Sequence, residues 1–206
     1  MKESEIELYK IIGEAGIDVL MGVFNVMTFG VAMNITDFVH KVIQHGKGIR
    51  DAHYALQVKA FLETPTEVTQ EEFKKFIEDN PDHQRLGLEV FKILEQTVIE
   101  EQAKMLSKAF SLWIKGKYAF KYEFDADVYL IKNLDAYLFS MFKEIAKDWK
   151  NKKNYFKGNH FKHLEILDLI NEVDKLMWSD NDSDIKSSYQ VSTIGIQFYE
   201  RIVKEL

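Results

Sequence analysis

The chain has no cysteine and only two prolines in 206 residues. Without thiols there is no disulfide, no thiol nucleophile and no thiolate metal site, and a reducing compartment is the simplest setting. Pro65 and Pro81 fall within one 17-residue window, so the strongest helix breaker is missing from the rest of the sequence. Positive charge is in deficit: 27 Lys and Arg face 33 Asp and Glu, and the net charge of -6 argues against general binding to nucleic acid. The sequence also has no G-x-S-x-G, no phosphate-cradling glycine loop and no H-E-x-x-H. Paired carboxylates such as Glu71/Glu72 and Glu100/Glu101 are adjacent, so on a helix they diverge by about 100 degrees and serve capping turns and solvated faces. No catalytic residue, cofactor site or metal ligand is assigned, and a non-enzymatic role is expected.

Hydrophobic residues make up 46% and aromatic residues 13%, enough to form a core. Apolar positions recur at helical spacing. Ile99, Ala103, Leu106, Phe110 and Trp113 mark one stripe over 98–115. Leu134, Leu138, Met141 and Ile145 mark another, widened by Phe142 and Trp149. Thr69 with Glu72 and Thr97 with Glu100 have capping-box spacing, Pro81 suits a first helical turn, and Gly116 and Gly158 sit where helices should end. These signals predict helices at 3–18, 19–45 (with a break allowed), 47–63, 70–79, 82–96, 98–115, 122–149 (with a break near Asn133) and 159–177. After the polar SDNDSD at 179–184, SSYQVS reads as a short strand or extended segment and TIGIQFYERIVKEL as a closing helix. The expected fold is all-α. It is a multi-helix bundle over 1–178 with an apolar N-terminal helix or hairpin, followed by a small strand–helix appendage over 179–206.

Several stretches together resemble a group of small uncharacterised bacterial helical proteins associated with prophages and phage defence of the abortive-infection kind. The resemblance rests on Gly48-Ile-Arg-Asp with ALQVKAFLE, on EEFKKFIEDNPDHQRLGLEVFKILEQT, on EEQAKMLSKAFSLWIKGKYAF closing at Gly116, and on the ending YQVSTIGIQFYERI. It covers roughly residues 12–140 and the tail. The family's "G-K-I-D/T" turn is replaced here by Gly116-Lys117-Tyr118-Ala119. The resembling residues are packing and capping residues, so no functional residue is carried over. What the resemblance implies is phage defence or superinfection control.

Charge is also missing from one long run. Residues 19–36, VLMGVFNVMTFGVAMNIT, hold eighteen positions without a charged side chain in a chain that is 29% charged. As a helix the run would be about 27 Å long, close to the roughly 30 Å of a bilayer's hydrocarbon core. The candidates for membrane contact are Val19, Leu20, Met21, Val23, Phe24, Val26, Met27, Phe29, Val31 and Met33. Against a span stand Asn25, Thr28, Asn34 and Thr36, the glycines at 22 and 30, and edges without tryptophan or tyrosine. A buried hairpin, a peripheral or conditionally inserting segment, and a stable span all remain open. The opening MKESEIELYKIIGEAG is too acidic for a secretory signal, so the expected location is the cytoplasm, with association at the inner membrane left open.

Charge of the other sign collects at 143–163, where seven lysines face two acids and Trp149, Tyr155, Phe156 and Phe161 are interleaved. Lys147, Lys150, Lys152, Lys153 and Lys157 are the basic-patch candidates. They can neutralise phosphates while aromatics stack on bases, attract anionic lipid, or form a solvated linker. The tail can also be read as the wing and last helix of a winged-helix-like unit, but LEILDLINEVDKLMW is too acidic for a recognition helix. His160 and His163 lack a third metal ligand, and Asp180, Asp182 and Asp184 lack the glycine and glutamate of a calcium loop. The expectation is an interaction protein with a protein partner or self-association, at or near the membrane. The alternative is a nucleic-acid-associated accessory protein using 143–163. No small-molecule substrate is inferred.

Overall fold

The computed structural model describes residues 49–64, 68–81, 89–90, 92–147, 149, 156–157, 161–176 and 186–206. The chain divides into two compact units, Met1–Lys132 and Asn133–Leu206. The described residues are mostly helical with a small antiparallel sheet.

Among the described residues the first unit holds the helices α1 (Ile49–Glu63), α2 (Gln70–Asp79), α3 (Glu100–Ile114) and α4 (Lys121–Asn133), the last of which ends on the first residue of the second unit. A short helical stretch at 89–90 and 92–95 precedes α3. The start of α2 matches the sequence expectation: Thr69 Oγ1 accepts from the Glu72 N–H, and Glu72 returns its carboxylate to the Thr69 N–H. Val68 and Phe73, both buried, occupy the two positions of a hydrophobic staple.

Helix α3 starts differently from the Thr97/Glu100 pair that the spacing suggests. Thr97 turns its hydroxyl back to the Leu94 carbonyl, and Ile99 stands at the N-cap position, where its side chain has nothing to accept with. Gln102 supplies the cap instead, its Oε1 accepting from the Val98 and Ile99 N–H groups at 2.6 and 3.2 Å. The helix ends on Gly116, at φ +64°. Lys117 N–H reaches the Leu112 carbonyl and Gly116 N–H that of Trp113, the paired bonds of a Schellman turn.

Among the described residues, the core of this unit is a chain of rings that runs through α1, α2, α3 and α4. Phe61 of α1 meets Phe110 of α3, and Phe110 and Trp113 both meet Phe76 of α2 edge-on. Trp113 stacks on Phe124 of α4 at 4.4 Å, and Phe124 meets Tyr118 edge-on. Each such pair adds about 0.5–1.5 kcal/mol beyond the area it buries. The stripe read from the sequence is present, with Ala103, Leu106 and Phe110 buried and Ile99 and Trp113 half-buried.

The second unit holds α5 (Ala136–Lys147), β1 (Phe156–Lys157), α6 (Lys162–Ile166), β2 (Ile170–Leu176), β3 (Lys186–Val191) and α7 (Thr193–Phe198), which passes into one π-helical turn at Tyr199–Val203. The expected break near Asn133 is real. Residues 134–135 are non-helical, and Asp135 Oδ1 accepts from the Leu138 N–H to start α5. The single helix predicted over 159–177 is not formed. Helix α6 stops after five residues because Asp168 takes φ +57°, which turns the Leu169 N–H onto the Leu164 carbonyl and sends the chain into β2. Leu164 and Leu169, both fully buried, close that turn.

The expected strand within SSYQVS is β3, and it is the centre of a sheet ordered β1-β3-β2, both pairs antiparallel. Phe142 of α5 packs on Phe198 and Tyr199, which joins the first helix of this unit to its last. In the expected C-terminal helix only the first six residues are α-helical. The Lys204 N–H then reaches back five residues to Tyr199.

No helix among the described residues is long and apolar enough to cross a membrane. Residues 19–36 and the ten membrane-contact candidates lie outside the described residues, as do the predicted helices at 3–18 and 19–45 and the predicted ending at Gly158.

Candidate interaction surfaces

In the first unit the charge-bearing side chains are mostly committed to local structure. Glu72 spends its carboxylate on the start of α2, and its carboxyl is held below the usual range first by the Thr69 N–H and further by Lys115 and Lys117. Lys104 bonds Glu100 one turn back at 2.7 Å. Tyr118 donates to Asp127 at 2.6 Å inside the core, and the phenol of Tyr54 is raised by burial and by the charge of Glu95. His53 Nε2 lies 3.0 Å from the Thr97 carbonyl, tying α1 to the turn before α3. These are structural bonds within and between elements rather than groups converging on one site. Among the described residues, no group of three or more His, Asp or Glu is placed to hold a metal ion.

The surface of the same unit is less conventional. Where the chain leaves α3 and enters α4, the rings of Phe120 and Tyr122 lie parallel at 5.3 Å with 11° between their planes, and both are mostly exposed, at 60% and 65%. The backbone beneath them is fixed. Glu123 accepts from the Ala119 and Phe120 N–H groups at 2.6 and 3.1 Å, the return half of a capping box. Lys121, between the two rings in sequence, is shared by Asp125 at 2.9 Å and Glu89 at 3.6 Å. Tyr129, two turns along α4, is also exposed. The sequence does not single out this pair, because the resembling stretch that ends at Phe120 reads as packing and capping residues and Tyr122 opens a predicted helix with no face assigned to it. The spacing carries half of the signal: with Phe124 facing the core, Tyr122 two residues earlier falls on the far side of the helix, whereas Phe120, four residues earlier, has the spacing of a core position and is exposed because it precedes the first turn of α4.

In the second unit the basic segment 143–163 is partly absorbed by the fold. Lys143 donates to the Leu206 carbonyl and lies over the Phe139 ring. Trp149 Nε1 donates to Glu200 at 3.3 Å, and Phe161 meets Tyr189 edge-on. Two of the four interleaved aromatics therefore serve packing. Lys147 is exposed at the end of α5, and Lys157 lies in β1 paired with Ser188. Lys150, Lys152 and Lys153 lie outside the described residues. Helix α6 offers only Lys162, His163 and Ile166 to solvent, and Lys162 is bonded to Glu165. One and a half turns of helix with one compensated lysine cannot present the three or four base-reading side chains of a recognition helix. No family model, no curated protein and no solved structure matches this chain.

Proposed function

We propose that the chain is a non-enzymatic bacterial or prophage interaction protein that acts in phage defence or superinfection control at or near the inner membrane. The observation that carries the interaction reading is the exposed surface of the first unit. Among the described residues its interior is filled by packed rings and mostly bonded polar groups, while Leu56, Val98, Phe120, Tyr122 and Tyr129 remain outside. Large aromatic side chains held at a surface are the anchors of protein interfaces. The phage-defence setting is supported by the family resemblance, and the membrane by the charge-free run at 19–36. The test is phage plating on cells with and without the chain, read beside alkaline-washed membranes from the same cells. Lowered plating with the chain retained in the membrane pellet is expected. Unchanged plating across a phage panel, with all the chain in the supernatant, would sink the reading.

A second reading, a soluble nucleic-acid-associated accessory protein, is favoured by the sheet order of the second unit. A helix followed by strands ordered β1-β3-β2, with the β2–β3 hairpin leading into a last helix, is the layout of a winged unit. Because α6 is too short for groove reading, binding would rest on phosphate neutralisation along the basic segment. Retention on single- or double-stranded DNA that falls with salt, and is lost in a Lys150→Ala, Lys152→Ala, Lys153→Ala triple variant, is its expected signature.

A further inference from the structure

The Phe120–Tyr122 pair sits in an electrostatic setting that selects among partners. Among the described residues, 119–122 are flanked by three carboxylates, Glu89, Glu123 and Asp125, and by the ammonium of Lys121, which is divided between two of them. Lys115 and Lys117, the nearest further cations in sequence, act on Glu72. The whole stretch 1–132 carries 21 Asp and Glu against 16 Lys and Arg. Two parallel, exposed rings beside surplus negative charge disfavour a phosphate backbone and favour a cation with a flat face.

We propose that Phe120 and Tyr122 form a docking platform for an arginine side chain on a basic segment of a partner protein. A guanidinium can lie flat on the open ring face, where the ring quadrupole attracts it, and still direct N–H donors at a neighbouring carboxylate. Asp125, one turn beyond Tyr122 on α4, is that carboxylate. Its bond to Lys121 is exposed and weakly held, so a bidentate arginine can displace the lysine. The platform is preorganised, because Glu123 fixes the backbone at Ala119 and Phe120 before any partner arrives, which reduces the ordering cost of binding. Lysine fits less well, as a compact and strongly hydrated charge without a planar face. This inference rests on the interaction reading above and gives it a surface and a partner chemistry.

The experiment uses the full chain and three fluorescent probes. These are a short peptide bearing spaced arginines in a neutral background, the same peptide with lysines, and a single-stranded oligonucleotide of similar length. Titration by anisotropy should show the arginine peptide binding more tightly than the lysine peptide. A Phe120→Ala, Tyr122→Ala double variant should weaken it by about tenfold, the size expected when a partly desolvated cation–ring contact is lost. Asp125→Asn should weaken arginine binding and narrow the gap to lysine. Because both rings are exposed, the double variant should keep the wild-type unfolding curve, which separates lost binding from lost fold. Equal arginine binding by wild type and double variant would overturn the proposal, as would equal affinity for arginine and lysine. So would absence of any binding, or tighter binding of the oligonucleotide through the same two rings. Those results leave the phage-plating and membrane outcomes untouched, so the two readings fail separately.

Discussion

Gln102, near the start of α3, donates from Nε2 to the Ile131 carbonyl in the last turn of α4 at 2.9 Å. The same nitrogen reaches the Lys132 carbonyl at 3.2 Å, and the amide oxygen accepts from Val98 and Ile99. One buried amide therefore satisfies donors at one helix start and acceptors at another helix end, groups that no intrahelical bond can serve. Gln102→Ala strands all of them. A loss of about 2–4 kcal/mol is expected in urea unfolding, at the high end for a single polar change because several partners are orphaned at once. A loss below about 0.5 kcal/mol would mean water replaces the amide at both ends.

A second junction lies in the other unit. Ser192 caps α7 by accepting from the Gly195 N–H at 2.8 Å, donates its hydroxyl to the Asp168 carbonyl, and sends its own N–H to Leu169 at 3.0 Å. A Cβ on Gly195 would overlap the Leu169 carbonyl oxygen. The obstacle is backbone held in a turn, so it cannot swing aside as a side chain would. Gly195→Ala should cost more than Ser192→Ala, about 3 kcal/mol or more against about 1–2 kcal/mol, with the loss confined to the second unit in hydrogen exchange. Equal costs would show that the turn at Leu169 yields.

These two junctions mark where sequence reading succeeded and where it stopped. The Thr69/Glu72 box was legible because a hydroxyl three residues before a carboxylate has few other uses at a helix start. Thr97/Glu100 has the same spacing and failed, because a glutamine two residues further on could serve α3 and α4 together, a tertiary advantage that spacing cannot register. The helix predicted over 159–177 failed for a related reason. Leu164 and Leu167 fit a helical stripe, and nothing in LDLIN announces that Asp168 will adopt the left-handed conformation that glycine announces at 116. The exposed Phe120–Tyr122 pair was only half legible: the spacing to Phe124 turns Tyr122 outward, while Phe120 reads as core until a structure shows which neighbours already fill it.

The two Schellman turns allow a matched comparison. Gly116 at φ +64° has open space around a hypothetical Cβ, so Gly116→Ala meets only the backbone penalty, about 1 kcal/mol. Asp168 holds φ +57° with a side chain, so Asp168→Gly relieves a comparable penalty while giving back unfolded-state entropy. The expected result is destabilisation at 116 and a shift between zero and about 0.5 kcal/mol of stabilisation at 168. Thermal melts of both variants check it. A loss of more than about 1 kcal/mol at 168 would mean the carboxylate itself holds the turn.

Ser107 lies fully buried in α3, and its hydroxyl has no hydrogen-bond partner. An unpaired buried hydroxyl costs desolvation energy without return, and serine is a weaker helix former than alanine. Ser107→Ala should therefore stabilise the chain, by about 1 kcal/mol, with an unchanged m-value in urea. Destabilisation would show that the hydroxyl is bonded in solution, to water or to another conformer of its surroundings.

The phenol of Tyr54 supplies a pH dependence with a definite sign. Burial, reinforced by the charge of Glu95, raises its pKa above the ordinary value of 10.0. In the unfolded chain the phenol ionises near pH 10, while in the folded chain it stays protonated well beyond that point. The folded state then holds a proton that the unfolded state has released, so this contribution is complete below about pH 10 and drains away as pH rises further. Lys104, raised by its bond to Glu100, acts in the same direction on the same limb. Tyr54→Phe removes the phenol's share and should flatten, without abolishing, the fall in unfolding free energy above about pH 10. If the slope is unchanged, the ring is open to water in the folded state and α1 packs more loosely at this point than its buried neighbours Gln57, Val58 and Phe61 imply.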